Sequence, residues 1–238
     1  MATQIQLGDL TVDVVFKDIK NVHLSVYPPS GRVRISAPRR MSANTIRAFA
    51  AAKIPWIREQ QRKLLEQERE TNREYVERES HYVFGKRYLL QVVEDNRPAS
   101  VERKHRHLVL TVRPGTPEGV RKSILDEWYR QLLKEAAAPI IAKWEPRIGV
   151  SVRRLFVQHM KTKWGSCNHR AGSIRLNTEL AKKPRECLEY LVVHEMVHLV
   201  EPTHNARFLA LMDQIMPRWQ FYRTLLNRLP LRHEEWDY

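Results

Sequence analysis

The sequence is poor in cysteine and contains no long apolar run. It holds two cysteines, Cys167 and Cys187, among 238 residues, so neither a disulfide framework nor a cysteine-ligated metal cluster is expected. No run of about 18 apolar residues occurs, which argues against a membrane-spanning helix. The first residues lack a charged segment followed by an apolar one, so we expect no secretory signal. These absences together favour the reducing cytoplasm.

Charge of one sign dominates the middle of the chain. The whole sequence has 41 Lys and Arg against 27 Asp and Glu, a net charge of +14. Residues 96–187 alone carry 20 basic and 8 acidic residues, a net of +12, whereas residues 188–238 have a net of −2. Because a basic field attracts polyanions, nucleic acid is a candidate partner through residues 96–187.

The periodicity of the apolar residues indicates an α+β fold with a β-rich N-terminal region. Residues 10–16 alternate as a strand does, and the turn residues at 28–31 predict a hairpin between residues 22–26 and 33–35. Ser42 is placed to cap a helix. We expect two domains, an N-terminal β-rich region with helices over 1–95 and a catalytic core over 96–238.

The second part of the chain mixes short strands with longer helices. Strands are predicted over 88–93, 108–112, 152–157 and 173–176, and a long helix over about 117–145 that Pro139 should kink or split. A helix over 185–200 follows. The last predicted helix, around residues 208–215, ends at Pro217.

The segment from His194 to His204 has the pattern of a metal site. His194 and His198 are four residues apart on a predicted helix, a spacing that places both imidazoles on one face, where they can bind one Zn²⁺. Glu195 follows the first histidine and can take a proton from a water molecule that the metal activates. Glu201 and Pro202 end the helix, so the chain can turn and bring His204 back as a third ligand.

A chance match of this short pattern on an ordinary buried helix is the alternative explanation. Burying three polar side chains in an apolar helix would be costly without a ligand for them, which favours a zinc site with one ion per chain. The spacing HExxHxxxxxH is also that of metzincins. That class has glycine where this chain has Glu201, and it has a methionine turn that is not evident here, so we reject it.

A second motif lies upstream, at Trp164-Gly165-Ser166-Cys167, followed by Ile174-Arg175-Leu176-Asn177. With the histidine motif, it resembles the YgjP-like metallopeptidase family over nearly the whole chain, and it is more distantly similar to SprT-like proteases. The resemblance implies a compact zincin-like metalloprotease core, metal binding at His194, His198 and His204, and Glu195 as the catalytic residue.

Several roles stay open at this point. Trp164, Gly165 and Ser166 are candidates for binding an extended substrate along an edge strand, although Trp164 could equally fill the core and Gly165 form a turn. Arg207 and Tyr222 are candidates for stabilising an oxyanion, with packing or a plain surface position as the alternative.

Peptide hydrolysis is the expected activity, with a protein or peptide as the substrate. The alternatives are zinc-dependent hydrolysis of nucleotide phosphoanhydrides, and a DNA-associated protease that acts on DNA-bound proteins.

Overall fold

A computed structural model describes residues 2–27, 30–66, 74–160 and 163–229. The chain divides into two compact units, one within Met1–Glu70 and one within Thr71–Arg232. The boundary expected between residues 95 and 96 falls inside the second unit. Strand pairing across that point explains the difference, because residues 89–94 pair with residues 107–112 in one sheet. Among the described residues, no helix is long and apolar enough to cross a membrane.

The first unit is a four-stranded sheet with two helices. Its strands are β1 (Ala2–Leu7), β2 (Leu10–Lys17), β3 (His23–Tyr27) and β4 (Arg32–Pro38), in the order β1-β2-β4-β3. The predicted hairpin is confirmed, since β3 and β4 pair in antiparallel fashion; Pro28 and Pro29 of its turn lie outside the described residues. Helices α1 (Ala43–Ala52) and α2 (Ile54–Glu66) follow.

Local chemistry explains these elements. The alternation in β2 and β4 buries one face of each strand, and the buried residues form a core of their own with α1 and α2. Ser42 caps α1 as predicted, because its hydroxyl accepts a hydrogen bond from the backbone N–H of Thr45 at 3.2 Å.

A second four-stranded sheet opens the other unit. It contains β5 (Ser80–Val83), β6 (Lys86–Glu94), β7 (Ser100–Lys104) and β8 (His107–Val112), in the order β5-β6-β8-β7. The two strands predicted from sequence, β6 and β8, lie side by side and are parallel. The buried residues of β6 and β8 belong to the core of this unit. The same core contains buried residues of the helices that follow in the chain.

Helix α3 (Glu118–Ile148) is continuous through Pro139, so of the kink or split that the sequence predicted there, the split does not occur. It ends at Gly149, whose φ of 76° is a left-handed conformation that favours glycine. Glu189 lies on the next long helix and links it to α3. Its carboxylate accepts hydrogen bonds from Lys143 at 2.6 Å and from the Trp144 indole at 2.9 Å. The anchored helix therefore backs the region that carries the histidine motif.

The remaining elements surround that motif. A three-stranded sheet, in the order β10-β11-β9, consists of β9 (Arg154–Gln158), β10 (Gly165–Asn168) and β11 (Ser173–Asn177). A 3-10 helix (Thr178–Lys182) leads to α4 (Arg185–Val197), α5 (Ala206–Ile215) and α6 (Trp219–Arg228). The mixed α+β class is confirmed. Helix α6, beyond Pro217, was not predicted.

Candidate metal centre

Helix α4 carries the first two histidines at its C-terminal end. Nine of its thirteen residues are buried, so the helix is held by apolar packing on several sides rather than along one stripe. His194 lies in the last turn and His198 is the C-cap residue. The predicted helix extended to residue 200, but α4 ends at Val197, and a turn follows in which the Glu201 N–H bonds to the Val197 carbonyl at 2.9 Å.

The chain after α4 reverses at Glu201 and Pro202 and returns His204 to the other two histidines. Asn205 then starts α5, because its side chain accepts a hydrogen bond from the Phe208 N–H at 3.0 Å. His204 therefore lies between the C-terminal end of α4 and the N-cap residue of α5. The turn that the sequence suggested is present, and it is tied down at both ends.

Nitrogen atoms of the three imidazoles converge on one point. Nε2 of His204 lies 3.1 Å from Nε2 of His198 and 3.1 Å from Nε2 of His194. Nε2 ligands of a tetrahedral zinc ion, at a Zn–N distance of about 2.1 Å, are separated by about 3.4 Å. A single proton on His204 Nε2 could serve only one of its two neighbours, whereas one cation can serve all three. The donor set therefore fits a metal ion.

Two contacts orient the rings for that role. Nδ1 of His198 lies 3.0 Å from the Glu201 carbonyl oxygen, so it donates its proton there and leaves Nε2 free to coordinate. The Phe208 ring, which is 1% exposed, packs against all three imidazoles at centroid distances of 4.5–5.0 Å. The sequence predicted Phe208 only as an apolar residue of a helix. The structure shows that its ring also packs against the three histidines.

Electrostatics keep the three rings neutral, as metal ligands must be. Burial lowers the pKa of His194 to about 3, with further contributions from His198, His204 and Arg223. Burial also lowers the pKa of His198 and of His204. Around neutral pH the cluster thus presents unprotonated nitrogens.

Glu195 lies beside this cluster and is 5% exposed. Burial raises its pKa to about 8, and Lys163 opposes that rise. The backbone of Gly165 in β10 approaches the carboxylate so closely that an added Cβ would lie 2.6 Å from Oε1 of Glu195. A side chain at position 165 would therefore displace the Glu195 carboxylate, a packing constraint that differs from the turn and substrate-binding roles suggested by the sequence.

Strand β10 is an edge strand of its sheet and contains Gly165 and Ser166; Trp164 directly precedes it. Trp164 packs against the core and is half-buried. Asn177, at the end of β11, anchors the approach to β10, since its Nδ2 donates to the carbonyls of Met160 and Lys163 at 2.8 and 2.9 Å. The sequence motif at residues 174–177 contains Asn177 but gives no sign of this positioning role.

Arg207 and Tyr222, the two oxyanion candidates from the sequence, each contact other residues of the second unit. Arg207 is 4.0 Å from the Glu201 carboxylate, and Tyr222 packs on the core beside Phe221. Arg223, which the sequence did not suggest, acts electrostatically on His194 and His204. A helix periodicity through Trp219, Tyr222 and Leu226 was the available signal for α6.

Two lysines of the basic middle segment are buried, whereas most of its other described basic residues are exposed. Lys182 and Lys183 are 5% and 3% exposed, and Lys182 binds the Glu179 carboxylate at 2.8 Å. Lys161 lies outside the described residues. The outward face of the β9–β11 sheet carries Arg154 and Phe156, with Arg175 located 5.4 Å from the Phe156 ring.

Comparison with family models agrees with a site that can hold a metal ion. A model of a family described as YgjP-like, metallopeptidase domain, matches residues 20–229. Among solved structures, the metallopeptidase zymogen of Pyrococcus abyssi abylysin is similar at 20% identity and a TM-score of 0.32. That similarity covers 43% of this chain and 99% of the abylysin chain. Comparison with curated proteins found no match.

Proposed function

This chain belongs to the YgjP-like metallopeptidase family, and from that premise we propose that it hydrolyses peptide bonds with one zinc ion and Glu195 as general base. The observation that carries the proposal is the convergence of His194, His198 and His204, whose ligand atoms all lie within 4.8 Å of one another. Three neutral imidazoles with an open fourth position are typical of catalytic rather than structural zinc.

His194, His198 and His204 would hold the ion. When bound there, zinc supplies Lewis-acid polarisation of the scissile carbonyl and activation of water. Residues of the chain would position the scissile bond and transfer the protons.

Glu195 is placed to move those protons. It is buried, and a zinc ion held by the neighbouring imidazoles would favour the ionised carboxylate that a general base requires. It accepts a proton from the attacking water and later delivers that proton to the amine leaving group. Its close approach to the backbone of Gly165 restricts the directions in which the carboxylate can point during both transfers.

Strand β10 supports the binding of an extended substrate. We propose that a peptide pairs with its edge through main-chain hydrogen bonds around Trp164, Gly165 and Ser166. This arrangement is the one expected of a zincin-like core, with a more distant likeness to SprT-like proteases. We propose the cytoplasm as the compartment, because Cys167 and Cys187 are both free thiols.

A substrate panel tests the proposal. The zinc-loaded protein should cleave an unfolded protein and should leave nucleoside triphosphates intact. Hydrolysis of triphosphates without peptide cleavage would contradict it and favour the phosphoanhydride reaction instead.

Nucleic acid is a second candidate partner, favoured by the outward face of the β9–β11 sheet. Ser166, Arg175 and Phe156 lie in one row across the three strands, and an exposed aromatic ring beside a guanidinium suits stacking on a base. Such a surface would hold a DNA-bound protein near β10. We propose single-stranded DNA as the ligand of this face.

The test is a salt titration of DNA binding. Arg154→Gln and Arg175→Gln should each weaken binding and reduce the salt slope by about one. Arg103→Gln, on β7 of the other sheet, is the matched control and should change neither. No association of the unmodified protein at low salt would refute the nucleic-acid proposal.

A further inference from the structure

Glu201 follows α4 and lies between the second and third histidines of the cluster. Its side chain is 13% exposed, and its backbone N–H donates to the Val197 carbonyl at 2.9 Å. Both its carbonyl and its carboxylate make contacts within the segment that carries His198 and His204. Glu201 therefore has two separate means of acting on the histidine cluster.

The three imidazoles differ in what orients their rings. Nδ1 of His198 has a hydrogen-bond acceptor, the Glu201 carbonyl oxygen, at 3.0 Å. Nδ1 of His194 is buried without a partner in the described part of the chain. Among the described residues, none forms a hydrogen bond with Nδ1 of His204, which is an exposed residue. The position of the His204 ring therefore depends on its backbone and on its contact with the Phe208 ring.

Hydrogen bonds fix the backbone on both sides of His204. Before it, Oε1 of Glu201 accepts from the Thr203 N–H at 3.3 Å and from the Thr203 hydroxyl at 3.0 Å. After it, Nδ2 of Asn205 donates to the Thr203 oxygen at 3.1 Å, and Oδ1 of Asn205 accepts from the Phe208 N–H at 3.0 Å. One chain of hydrogen bonds thus runs from the Glu201 carboxylate through Thr203 and Asn205 into α5.

Holding the third ligand in place before the metal binds favours metal binding. An exposed ligand on a mobile segment loses conformational entropy when it coordinates, whereas a ligand whose backbone is already fixed loses less. Residues that orient metal ligands typically contribute about 10–100-fold to metal affinity. The Glu201 carboxylate is placed for this role, because it binds the residue directly before His204.

We propose that Glu201 is a positioning residue whose carboxylate raises zinc affinity by holding the backbone that carries His204. This inference rests on the proposed zinc site, and zinc binding can be measured without peptide turnover. A negative charge near a bound cation would also raise affinity. The test therefore has to separate the hydrogen bonds to Thr203 from the charge of the carboxylate.

The experiment measures the zinc Kd of Glu201→Ala and Glu201→Gln by competition with a chelator, together with the melting temperature of each metal-free protein. Glu201→Ala keeps the backbone carbonyl that His198 uses, so its loss of affinity, about 10–100-fold, reports the carboxylate alone. Glu201→Gln keeps an oxygen that can accept from Thr203 and should retain most of the affinity. The control Glu186→Ala removes the same charge from an exposed position in the first turn of α4 and should leave Kd unchanged.

A double-variant cycle tests the contact itself. Thr203→Val removes the hydroxyl, and it should weaken zinc binding less in the Glu201→Ala background than in the unmodified protein, because the two residues act together. An unchanged Kd in Glu201→Ala, equal losses in Glu201→Ala and Glu201→Gln, additive effects in the cycle, or a loss of affinity matched by a fall in the metal-free melting temperature would each overturn the role of Glu201 alone. If the unmodified protein binds no zinc, the proposed metal site fails, and this inference fails with it.

Discussion

Gly165→Ala probes the contact between β10 and Glu195. The added Cβ would lie 2.6 Å from Oε1 and 3.0 Å from both Cγ and Cδ of Glu195. Ordinary contacts of carbon begin near about 3.4 Å, so the carboxylate must move by about 0.8 Å. Glu195 is buried, and the strand on the other side of the contact is paired to β11. Pairing to β11 restrains the strand, so the Glu195 carboxylate is the partner that moves.

We expect two consequences of this displacement. Overpacking of this kind costs about 1–3 kcal/mol of unfolding free energy. A misplacement of a catalytic group by about 1 Å can lower the rate by about 100-fold. Zinc content should stay normal, because Gly165 does not contact the histidine nitrogens. Denaturant unfolding, elemental analysis and peptide turnover on one preparation measure all three effects.

A second alanine provides the control. Gly119→Ala, near the start of α3, adds a Cβ with nothing within 4 Å, so it should leave turnover unchanged and add about 0.5–1 kcal/mol of stability. In a Glu195→Ala background the clashing atoms are gone, and Gly165→Ala should then cost little. Normal turnover and normal stability of Gly165→Ala in the unmodified background would refute the reasoning.

Further predictions concern the metal, pH and a buried ion pair. His204→Ala should lower zinc occupancy below one per chain in elemental analysis, and full retention would remove His204 from the ligand set. In metal-free protein, the pKa of Glu195 is raised from 4.5 to about 8, so its contribution to stability is present below pH 4.5 and is lost as pH rises through 8. Glu195→Gln should therefore match the unmodified protein near pH 4 and exceed its melting temperature near pH 9; identical curves would contradict this. Lys182→Met removes the cation that binds the buried Glu179 carboxylate, so urea unfolding should show a loss of about 3–5 kcal/mol, and a loss below 1 kcal/mol would show that the pair is dispensable.

The sequence predicted most elements whose apolar spacing is regular. The strand at Leu10–Lys17, the hairpin after it and the helix of His194 followed from periodicity and turn chemistry. The continuity of α3 through Pro139 was not predicted. Residues on both sides of that proline are buried, and their burial outweighs the loss of one backbone hydrogen bond.

The sequence predicted the part of the site whose residues lie close together in the chain. His194, His198 and His204 lie within eleven residues, and Pro202 signals the reversal that brings them together. Contacts between distant segments carried no such signal. The approach of Gly165 to Glu195 and the placement of Arg223 depend on how β10 and α6 pack on α4, which sequence spacing does not encode. The burial of Lys182 and Lys183 was hidden for the same reason, since charge counts do not reveal exposure.

The measurement that tests the central claim most directly is made on Glu195→Gln. Glutamine is nearly isosteric with glutamate, and residue 195 is not proposed as a ligand, so the variant should keep one zinc per chain and its fold. What it loses is the carboxylate that moves protons, and peptide turnover should fall by at least about 10²–10⁴-fold. Zinc content, melting temperature and turnover are recorded on the same preparation. A variant with normal zinc and undiminished turnover would contradict the assignment of Glu195 as the general base.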